Sequence, residues 1–390
     1  MRINLNIRRL RGFGLVEVLV GMVISLLAML VIMQLYALWE GQKRTTTSGS
    51  DAQSNGVMGL YSIERDVRQA GYGFASLDVL NCNVRAYNAN RTPTDFTLPA
   101  MAPVTINPVY STPIPAPDAN TDIIQVSYGN SNGLSAGVSF NQQSGASANY
   151  QVTNRSGFTV GDMVIAVEPG LDCSLAQVTD LPAAGSCNSS SGGQTDVVIH
   201  NNGNFQNPYQ GCANVPSYWN KPSGLGVTYT TGKLYDLGSL PVTLIYAVRN
   251  ARLTVCDYMA NDCTDATLVN NTSVWVPIAD NIVGLHAQYG RDTATPVGTS
   301  GVGVTYVANV YDQNTPINAC GWLRTPVIRI GLVARSPLFE KGAVTTTAPT
   351  WQGGTFDVSA TANWQHYRYK TFETIVPLRN IIWIGAQSSC

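Results

Sequence analysis

The longest apolar stretch of the chain lies close to its start. From Leu15 to Leu38 the sequence is hydrophobic apart from a few positions, chiefly Glu17, Ser25 and Gln34. As a helix this stretch would be about 36 Å long at ~1.5 Å per residue, enough to cross a hydrocarbon core of roughly 30 Å. Arginines precede it, and the positive-inside rule would keep them in the cytoplasm. The pattern predicts a transmembrane helix.

The polar stretch that follows also has helical periodicity. Between residues 40 and 70 apolar residues recur at intervals of three, three and four, which places them on one face of a helix. The first proline is Pro93, and Gly71 is suited to ending a helix. We therefore predict one long helix from Phe13 to about Gln69. Its second half would pack on a globular head through Val57, Leu60, Ile63 and Val67, although Gly41, Gly49, Gly56 and Gly59 weaken it.

The clearest strands are in the C-terminal half. Two apolar runs, Val242–Val248 and Arg252–Cys256, flank a short turn and predict a hairpin. The run V-I-R-I-G-L-V-A-R-S alternates, with Ile328, Ile330, Leu332 and Ala334 on one face, as in a half-buried antiparallel strand. Tyr367–Val376 is another candidate. These elements predict an α+β fold in which a long N-terminal helix packs on a head of antiparallel β-sheet.

The part of the head before residue 240 is less regular. The segment 90–117 contains seven prolines, which favours an extended surface connection rather than core. Short strand candidates follow it at Asp122–Tyr128, Thr159–Val167 and Thr195–His200.

Composition and cysteine content indicate a compartment. Charged residues make up 12% of the chain, against roughly 25% in an average soluble domain, which suits a secreted β-rich protein. A formal charge of −1 argues against nucleic acid as a partner. Eight cysteines, an even number, suggest disulfides in an oxidising space. Two short loops could be closed, Cys256–Cys263 and Cys173–Cys187, and buried free thiols are the alternative.

The start of the apolar stretch has an unusual feature, a carboxylate at Glu17. A secretory signal peptide fits poorly because its apolar region is only about 7–15 residues long, and a plain membrane anchor leaves the carboxylate unexplained. The sequence R-R-L-R-G-F-G-L-V-E resembles the class III leader of type IV pilins and pseudopilins, despite departures at Gly14 and Val16. The resemblance implies that a prepilin peptidase cleaves between Gly12 and Phe13 and that Phe13 is N-methylated. It also implies that Glu17 neutralises the terminal ammonium of a neighbouring subunit during assembly.

Four further stretches are similar to the PilW family of minor pilins. They are Ser62–Gly73, Ala279–Gly290, Arg329–Pro337 and Tyr367–Asn380. The resemblance implies a pilin-like fold and a role in priming type IV pilus assembly near the filament tip. It implies as partners the inner membrane, other minor pilins, the major pilin and a PilY-type tip adhesin, with links to cell adhesion and twitching motility. The head would be periplasmic before assembly and at the cell surface afterwards.

This interpretation divides the chain into five parts. They are a leader (1–12), a transmembrane half-helix (13–39), a periplasmic half-helix (40–70), a variable loop-rich β region (71–240) and a C-terminal β region (241–390). Two alternatives remain. One is a J-type pseudopilin of a type II secretion system, which has the same leader. The other is a membrane-anchored periplasmic enzyme or binding protein.

Candidate chemistry is weak, and we predict neither enzyme activity nor a cofactor or metal site. The sequence G-N-S-N-G at Gly129–Gly133 matches the nucleophile-elbow pattern, but no helical pattern follows it. The three histidines are far apart in sequence. Acidic residues near the Cys256–Cys263 loop leave a calcium site open as an alternative to solvated acids. An aromatic group, Tyr209, Tyr218 and Trp219, suggests either core packing or a sugar-binding or adhesive surface.

Overall fold

The N-terminal helix is the longest element of the structure. The computed structural model describes residues 14–133, 136–141, 148–182, 187, 196–293 and 306–385, and in it helix α1 spans Leu15–Val67. Gly71 follows with φ +82°, a left-handed conformation that glycine adopts without strain. The chain divides into two compact units, Met1–Asp51 and Ala52–Cys390, and α1 contributes residues to both. The predicted long helix is confirmed, and it ends two residues before the predicted position.

The second unit, the head, is built mainly from strands. In the described residues these are β1 Val84–Tyr87, β2 Asp95–Leu98, β3 Val104–Ile106, β4 Ile124–Tyr128, β5 Val138–Phe140, β6 Asn149–Gln151, β7 Met163–Val167, β8 Cys173–Gln177, β9 Val197–Ile199, β10 Asn204–Asn207, β11 Ala213–Pro216, β12 Gly232–Gly238, β13 Val242–Arg249, β14 Arg252–Asp257, β15 Val276–Asp280, β16 Ile282–Arg291, β17 Val310–Asp312, β18 Val327–Arg335, β19 Thr350–Trp351, β20 Gly354–Thr355 and β21 Tyr369–Pro377. Two short helices, α2 Ala319–Leu323 and α3 Arg379–Ile382, lie near the C-terminus.

Three larger sheets organise these strands. Their orders are β2-β1-β8-β7-β12-β5, β15-β14-β13-β4-β3 and β17-β16-β18-β21, with three two-stranded ribbons besides. Among the described strands, pairing is antiparallel except between β1 and β8. The α+β architecture predicted from the sequence, a long apolar helix followed by a mostly antiparallel head, is confirmed.

The C-terminal strands agree closely with the hydrophobic pattern. In β18 the predicted apolar face is fully buried, and each of its residues pairs with β16 on one side and β21 on the other. Strands β13 and β14 form the predicted hairpin, and its turn residues Asn250 and Ala251 have φ of +52° and +55°. Such positive angles match the twist of a two-residue hairpin turn.

The proline-rich segment differs from the prediction. It contains β2 and β3, and Phe96, Val104 and Tyr110 are buried in the main core. The prolines stand outside these strands, with Pro99 directly after β2 and Pro103 directly before β3. Because proline is excluded from the ladder but tolerated beside it, a proline-rich segment can still supply short buried strands. The prediction of a surface connection was wrong.

The main hydrophobic core draws on both sides of the predicted boundary at residue 240. It contains Val84 and Leu98 from before the boundary and Ile245 and Leu332 from after it. A second cluster, which includes Phe140, Tyr150 and Val164, lies entirely in the earlier region. The two regions therefore share one core, and the earlier region adds a core of its own.

The disulfides correct one of the two predicted pairings. Cys256 and Cys263 are bonded as predicted. The pairing Cys173–Cys187 is wrong, because Cys173 bonds Cys82 and Cys187 bonds Cys212. Cys173 is the first residue of β8 and lies opposite Val84 of β1. The cysteine next to it in space is therefore Cys82, which is distant in sequence. Cys320 is also disulfide-bonded, and none of the described cysteines is free.

Candidate assembly interface

The start of α1 holds the one predicted assembly residue that the structure describes. Gly12 and Phe13 lie outside the described residues, whereas Glu17 lies in the first helical turn. Its Oε2 accepts a hydrogen bond of 3.0 Å from the backbone N–H of Gly14. A glutamate here satisfies an amide that has no partner within the helix and lies near the positive end of the helix dipole. Glu17 therefore has a local partner, the amide two residues after the predicted cleavage position.

The first part of α1 presents apolar side chains in every direction. Each large hydrophobic side chain from Leu15 to Trp39 is exposed, with Val18 the least exposed at 45%. By length and composition α1 could cross a membrane, and it is the one helix in the described part of the chain that could. Exposed apolar surface is unfavourable in water by about 25 cal/mol per Å². This segment suits anchoring in a bilayer or contact with other apolar chains.

The second part of α1 packs on the head through small residues. Its buried positions include Ala52, Gly56, Gly59 and Ile63. A Cβ built on Gly56 would overlap the ring of Phe372 on β21, and one built on Gly59 would approach Leu253 of β14 and Leu332 of β18 at 3.2 and 3.3 Å. The missing side chains let the helix backbone lie close to two sheets.

The packing face predicted for this half of the helix was partly wrong. Ile63 and Val67 are fully buried as predicted, but Val57 is 53% exposed and Leu60 is only partly buried. The buried stripe runs through Gly56 and Gly59, which helix propensity alone treats as weakening the helix. Two glycines three residues apart, in line with buried apolar positions, were the sequence signal for close contact.

A buried carboxylate fixes the same helix to the head. Asp66 is fully buried and accepts hydrogen bonds from Arg65 at 2.9 Å, from the Tyr128 hydroxyl on β4 at 3.2 Å and from the Tyr246 hydroxyl on β13. Burial, together with the Asp66 charge, raises the pKa of Tyr128 to about 12 and raises that of Tyr246 further, so both phenols stay protonated as donors. Asp66 was not predicted from the sequence, although an acidic residue beside a buried stripe indicates a paired buried charge.

The end of the helical segment is held by the C-terminal part of the chain. The side-chain amide of Asn380, in α3, donates to the carbonyls of Gln69 and Ala70 at 3.1 and 2.9 Å. These carbonyls follow the helix end, where partners within the helix are missing. Asn380 ends one of the stretches used for the family resemblance, and Gln69 and Ala70 belong to another.

The stretches used for the family resemblance are therefore neighbours in space. Ala279–Gly290 includes most of β16, Arg329–Pro337 most of β18, and Tyr367–Asn380 all of β21, and these three strands are adjacent in one sheet. Ser62–Gly73 ends the helix that packs against this sheet and its neighbour.

Comparison with known protein families matches the same part of the head. Residues 246–380 match the family model of the type IV pilus-assembly protein W, PilW. We call residues 246–380 the PilW region, after the family that they are similar to. No curated protein and no solved structure matches the chain.

The PilW region begins within β13 and ends at Asn380, so it contains β14 to β21 and the residue that caps the helix segment. Three of the four stretches singled out in the sequence lie entirely inside it, and Ser62–Gly73 lies outside. The family match supports a part in type IV pilus assembly.

The residues considered for catalysis make hydrogen bonds that stabilise the fold. Ser131 of G-N-S-N-G is buried, donates to the Asp236 carboxylate and accepts from the backbone N–H of Gly133 at 2.9 Å. His286 Nδ1 lies 3.0 Å from Asp122 Oδ2, and Asp122 also accepts from Asn107 and from the backbone of Ala287. Burial raises the pKa of Asp122, but these hydrogen bonds, from His286 above all, lower it more, and the net pKa is below its usual value.

The acidic residues near the Cys256–Cys263 loop likewise have partners. Asp257 accepts from the backbone N–H of Met259, Asp262 from Arg91 and Thr264, and Asp265 from Thr267. Within the described ranges, no group of three or more His, Cys, Asp or Glu side chains is placed to hold a metal ion. Among the aromatic candidates, Tyr209 donates to Asp162 at 2.7 Å and Trp219 lines a cavity.

Proposed function

We propose that this protein is a minor pilin that primes type IV pilus assembly together with other minor pilins near the filament tip. One observation carries the proposal. A single helix without interruption joins an exposed apolar segment, headed by Glu17, to a head that contains the PilW region. The apolar segment suits the membrane and the interior of a filament, and the head suits lateral contacts. Its work would be association rather than catalysis.

Processing would change the partner of Glu17. Cleavage between Gly12 and Phe13, followed by N-methylation, would create an ammonium group at Phe13, four residues before the carboxylate. In the described chain the carboxylate accepts from the Gly14 amide, a neutral donor. An ammonium on a neighbouring subunit is a stronger partner, because two charges that are each costly in lipid become tolerable as a pair. This pairing would set the axial position of each subunit.

The partners and locations follow from this proposal. Before assembly the protein would cross the inner membrane once, with its head in the periplasm, where disulfides such as Cys82–Cys173 form readily. A prepilin peptidase would trim it there. After assembly it would lie in the pilus at the cell surface, in contact with other minor pilins, the major pilin and a PilY-type tip adhesin.

The test measures processing and incorporation separately. Mass spectrometry of the mature N-terminus is expected to find N-methylated Phe13 in cells with an active prepilin peptidase, and the intact leader in cells without it. Glu17→Ala should still be trimmed. Its incorporation into sheared pili should fall by about a hundredfold, since an unpaired charge in a membrane costs roughly 2.5–3.5 kcal/mol.

Glu40→Ala is the matched control, because it removes an exposed carboxylate of the same helix beyond the apolar segment. It should be incorporated normally. An intact leader in cells with the peptidase would contradict the proposed processing, and normal incorporation of Glu17→Ala would contradict the role of Glu17. Recovery of the protein with a type II secretion apparatus, and not with pili, would favour the pseudopilin alternative.

A further inference from the structure

A cavity of about 350 Å³ lies in the part of the head that precedes the PilW region. It is lined by the segment 219–228, by Tyr150 of β6, by His200 and by the middle of β8. Sites for small molecules are typically concave and measure about 300–1,000 Å³. The cavity therefore has room for a ligand of one or two rings.

Two partly buried rings, those of His200 and Trp219, line the cavity. Tyr150 is fully buried and stacks on His200, with ring centres 4.5 Å apart and planes at 23°, so it holds the imidazole in place from the core side. Trp219 is partly buried and packs against the main core, which fixes the position of its indole. Rigid planar rings give a ligand a large contact area at low entropic cost.

The cavity is electrically neutral. Burial lowers the pKa of His200 to about 4, so the imidazole is uncharged at neutral pH. Lys221 is the one Lys, Arg, Asp or Glu among the described residues that line the cavity, and its ammonium lies 2.8 Å from the Asp95 carboxylate. A charged ligand would meet no unpaired opposite charge here.

Polar groups are nevertheless available at the rim. The side chains of Asn202, Ser223 and Thr228 line the cavity, are exposed, and make no hydrogen bond to other described residues. An amide and two hydroxyls can each donate and accept. A purely apolar ligand would leave these groups unused, whereas a ligand rich in hydroxyls would pair with them.

We propose that this cavity binds a neutral saccharide. The faces of sugar rings carry C–H groups that pack on aromatic side chains, and their edges carry hydroxyls that would pair with Asn202, Ser223 and Thr228. This inference is independent of the proposed role in pilus assembly, because no residue of α1 or of the PilW region lines the cavity.

The experiment uses the full chain in a zwitterionic detergent, because alkyl glycoside detergents carry sugars of their own. Saturation-transfer NMR and calorimetry would be run with glucose, galactose, N-acetylglucosamine and lactose, and with N-acetylneuraminic acid as a charged probe. At least one neutral sugar is expected to bind with a Kd of about 1 mM or tighter. The charged sugar should bind at least tenfold more weakly.

Three variants locate the binding. Ser223→Trp, at an exposed position, should fill the cavity and weaken binding at least tenfold. Asn202→Ala, also at an exposed position, should weaken it about fivefold, which corresponds to roughly 1 kcal/mol for a lost hydrogen bond. Trp383→Ala is the control, because it removes a tryptophan that is 77% exposed and does not line the cavity.

Several results would overturn the proposal. These are failure of every neutral sugar to bind the unmodified chain, tighter binding of the charged sugar, unchanged affinity in both Ser223→Trp and Asn202→Ala, and loss of binding in Trp383→Ala. Thermal unfolding of each variant checks its fold. If Ser223→Trp does not unfold cooperatively, Asn202→Ala alone decides, because its side chain is exposed and makes no hydrogen bond to other described residues.

Discussion

The head joins two regions that are held together in different ways. In the PilW region, β16, β18 and β21 are 10, 9 and 9 residues long and pair along most of their length. Before that region, β1 to β11 are only three to five residues long, and the disulfides Cys82–Cys173 and Cys187–Cys212 link the segments between them. Long ladders and a packed helix stabilise one region, and cross-links compensate for short strands in the other.

Removal of a disulfide should show the largest difference in stability between the two regions. A cross-link stabilises by limiting the unfolded chain, and its effect grows with the number of residues it encloses. The double variant Cys82→Ala/Cys173→Ala opens a link across 91 residues and should lower the free energy of unfolding by about 4–5 kcal/mol. Urea unfolding of the full chain in detergent, followed by near-ultraviolet circular dichroism, measures it.

The matched control lies in the PilW region. Cys256→Ala/Cys263→Ala opens a link across seven residues and should lower the free energy of unfolding by only about 2–3 kcal/mol. If the two double variants lost equal free energy of unfolding, the earlier region would depend on its cross-link no more than the PilW region does.

The same difference explains which features the sequence revealed. Long alternating runs such as Ile328–Ala334 and the hairpin at Asn250–Ala251 carry their own signal, and both were predicted. Strands of three or four residues, such as β2 and β3 between prolines, are too short for a period to be visible. The Cys82–Cys173 pairing depends on a parallel contact between β1 and β8 that no local pattern encodes.

The candidate assembly interface could be predicted only in part. Glu17 stands out because a charge inside an apolar run is costly. Asp66 and Asn380 do not, because their roles depend on tyrosines and helix carbonyls brought from distant parts of the chain. Gly56 and Gly59 looked unfavourable, since helix propensity considers the isolated helix and not the sheet it must approach.

The attachment of the helix to the head depends on Asp66. Asp66→Ala would leave the hydroxyls of Tyr128 and Tyr246 without their acceptor, at about 1–3 kcal/mol for each buried group, so a total loss near 3 kcal/mol is expected. Asp66→Asn keeps an acceptor and should lose about 1 kcal/mol. Urea unfolding of the head measures both.

Glu64→Ala provides the reference. Among the described residues its carboxylate pairs only with Arg68 near the surface, and such pairs contribute little, so a change within about 0.5 kcal/mol is expected. If Asp66→Ala were no more destabilising than Glu64→Ala, the buried carboxylate would not be what attaches the helix.

Buried acids make the stability of the head depend on pH, in the earlier region through Asp162 and Asp236 and in the PilW region through Asp257. Burial raises the pKa of Asp162 to about 6, and the nearby Asp236 carboxylate adds to the increase. Because the pKa in the folded state is higher than in the unfolded state, this residue stabilises the fold fully below about pH 4, and that stability is lost as pH rises through about 6. The loss amounts to about 2–3 kcal/mol at most.

Asp162→Asn should remove the contribution of Asp162 to this dependence, while Asp236 and Asp257, whose pKa values burial also raises, keep theirs. The variant cannot ionise, so its free energy of unfolding should change less between pH 4.5 and 7.5 than that of the unmodified chain. Asp122 has the opposite shift, with a lowered pKa, so its contribution is lost only at more acid pH and falls outside this window. An unchanged slope in Asp162→Asn would show that Asp162 does not titrate near pH 6.

The smallest effect concerns glycines within a single helix. At Gly49, where a Cβ would meet nothing within 4 Å, alanine should stabilise the helix by up to about 1 kcal/mol. At Gly56 the same methyl group would overlap the Phe372 ring, and overpacking of about 1–3 kcal/mol should exceed the gain in propensity. Gly56→Ala should therefore lower the urea midpoint. Gly49→Ala should raise it, or leave it unchanged where the measured transition is that of the head alone. A stabilising Gly56→Ala would mean that the Phe372 ring moves aside, and that close approach of helix and sheet does not require glycine at this position.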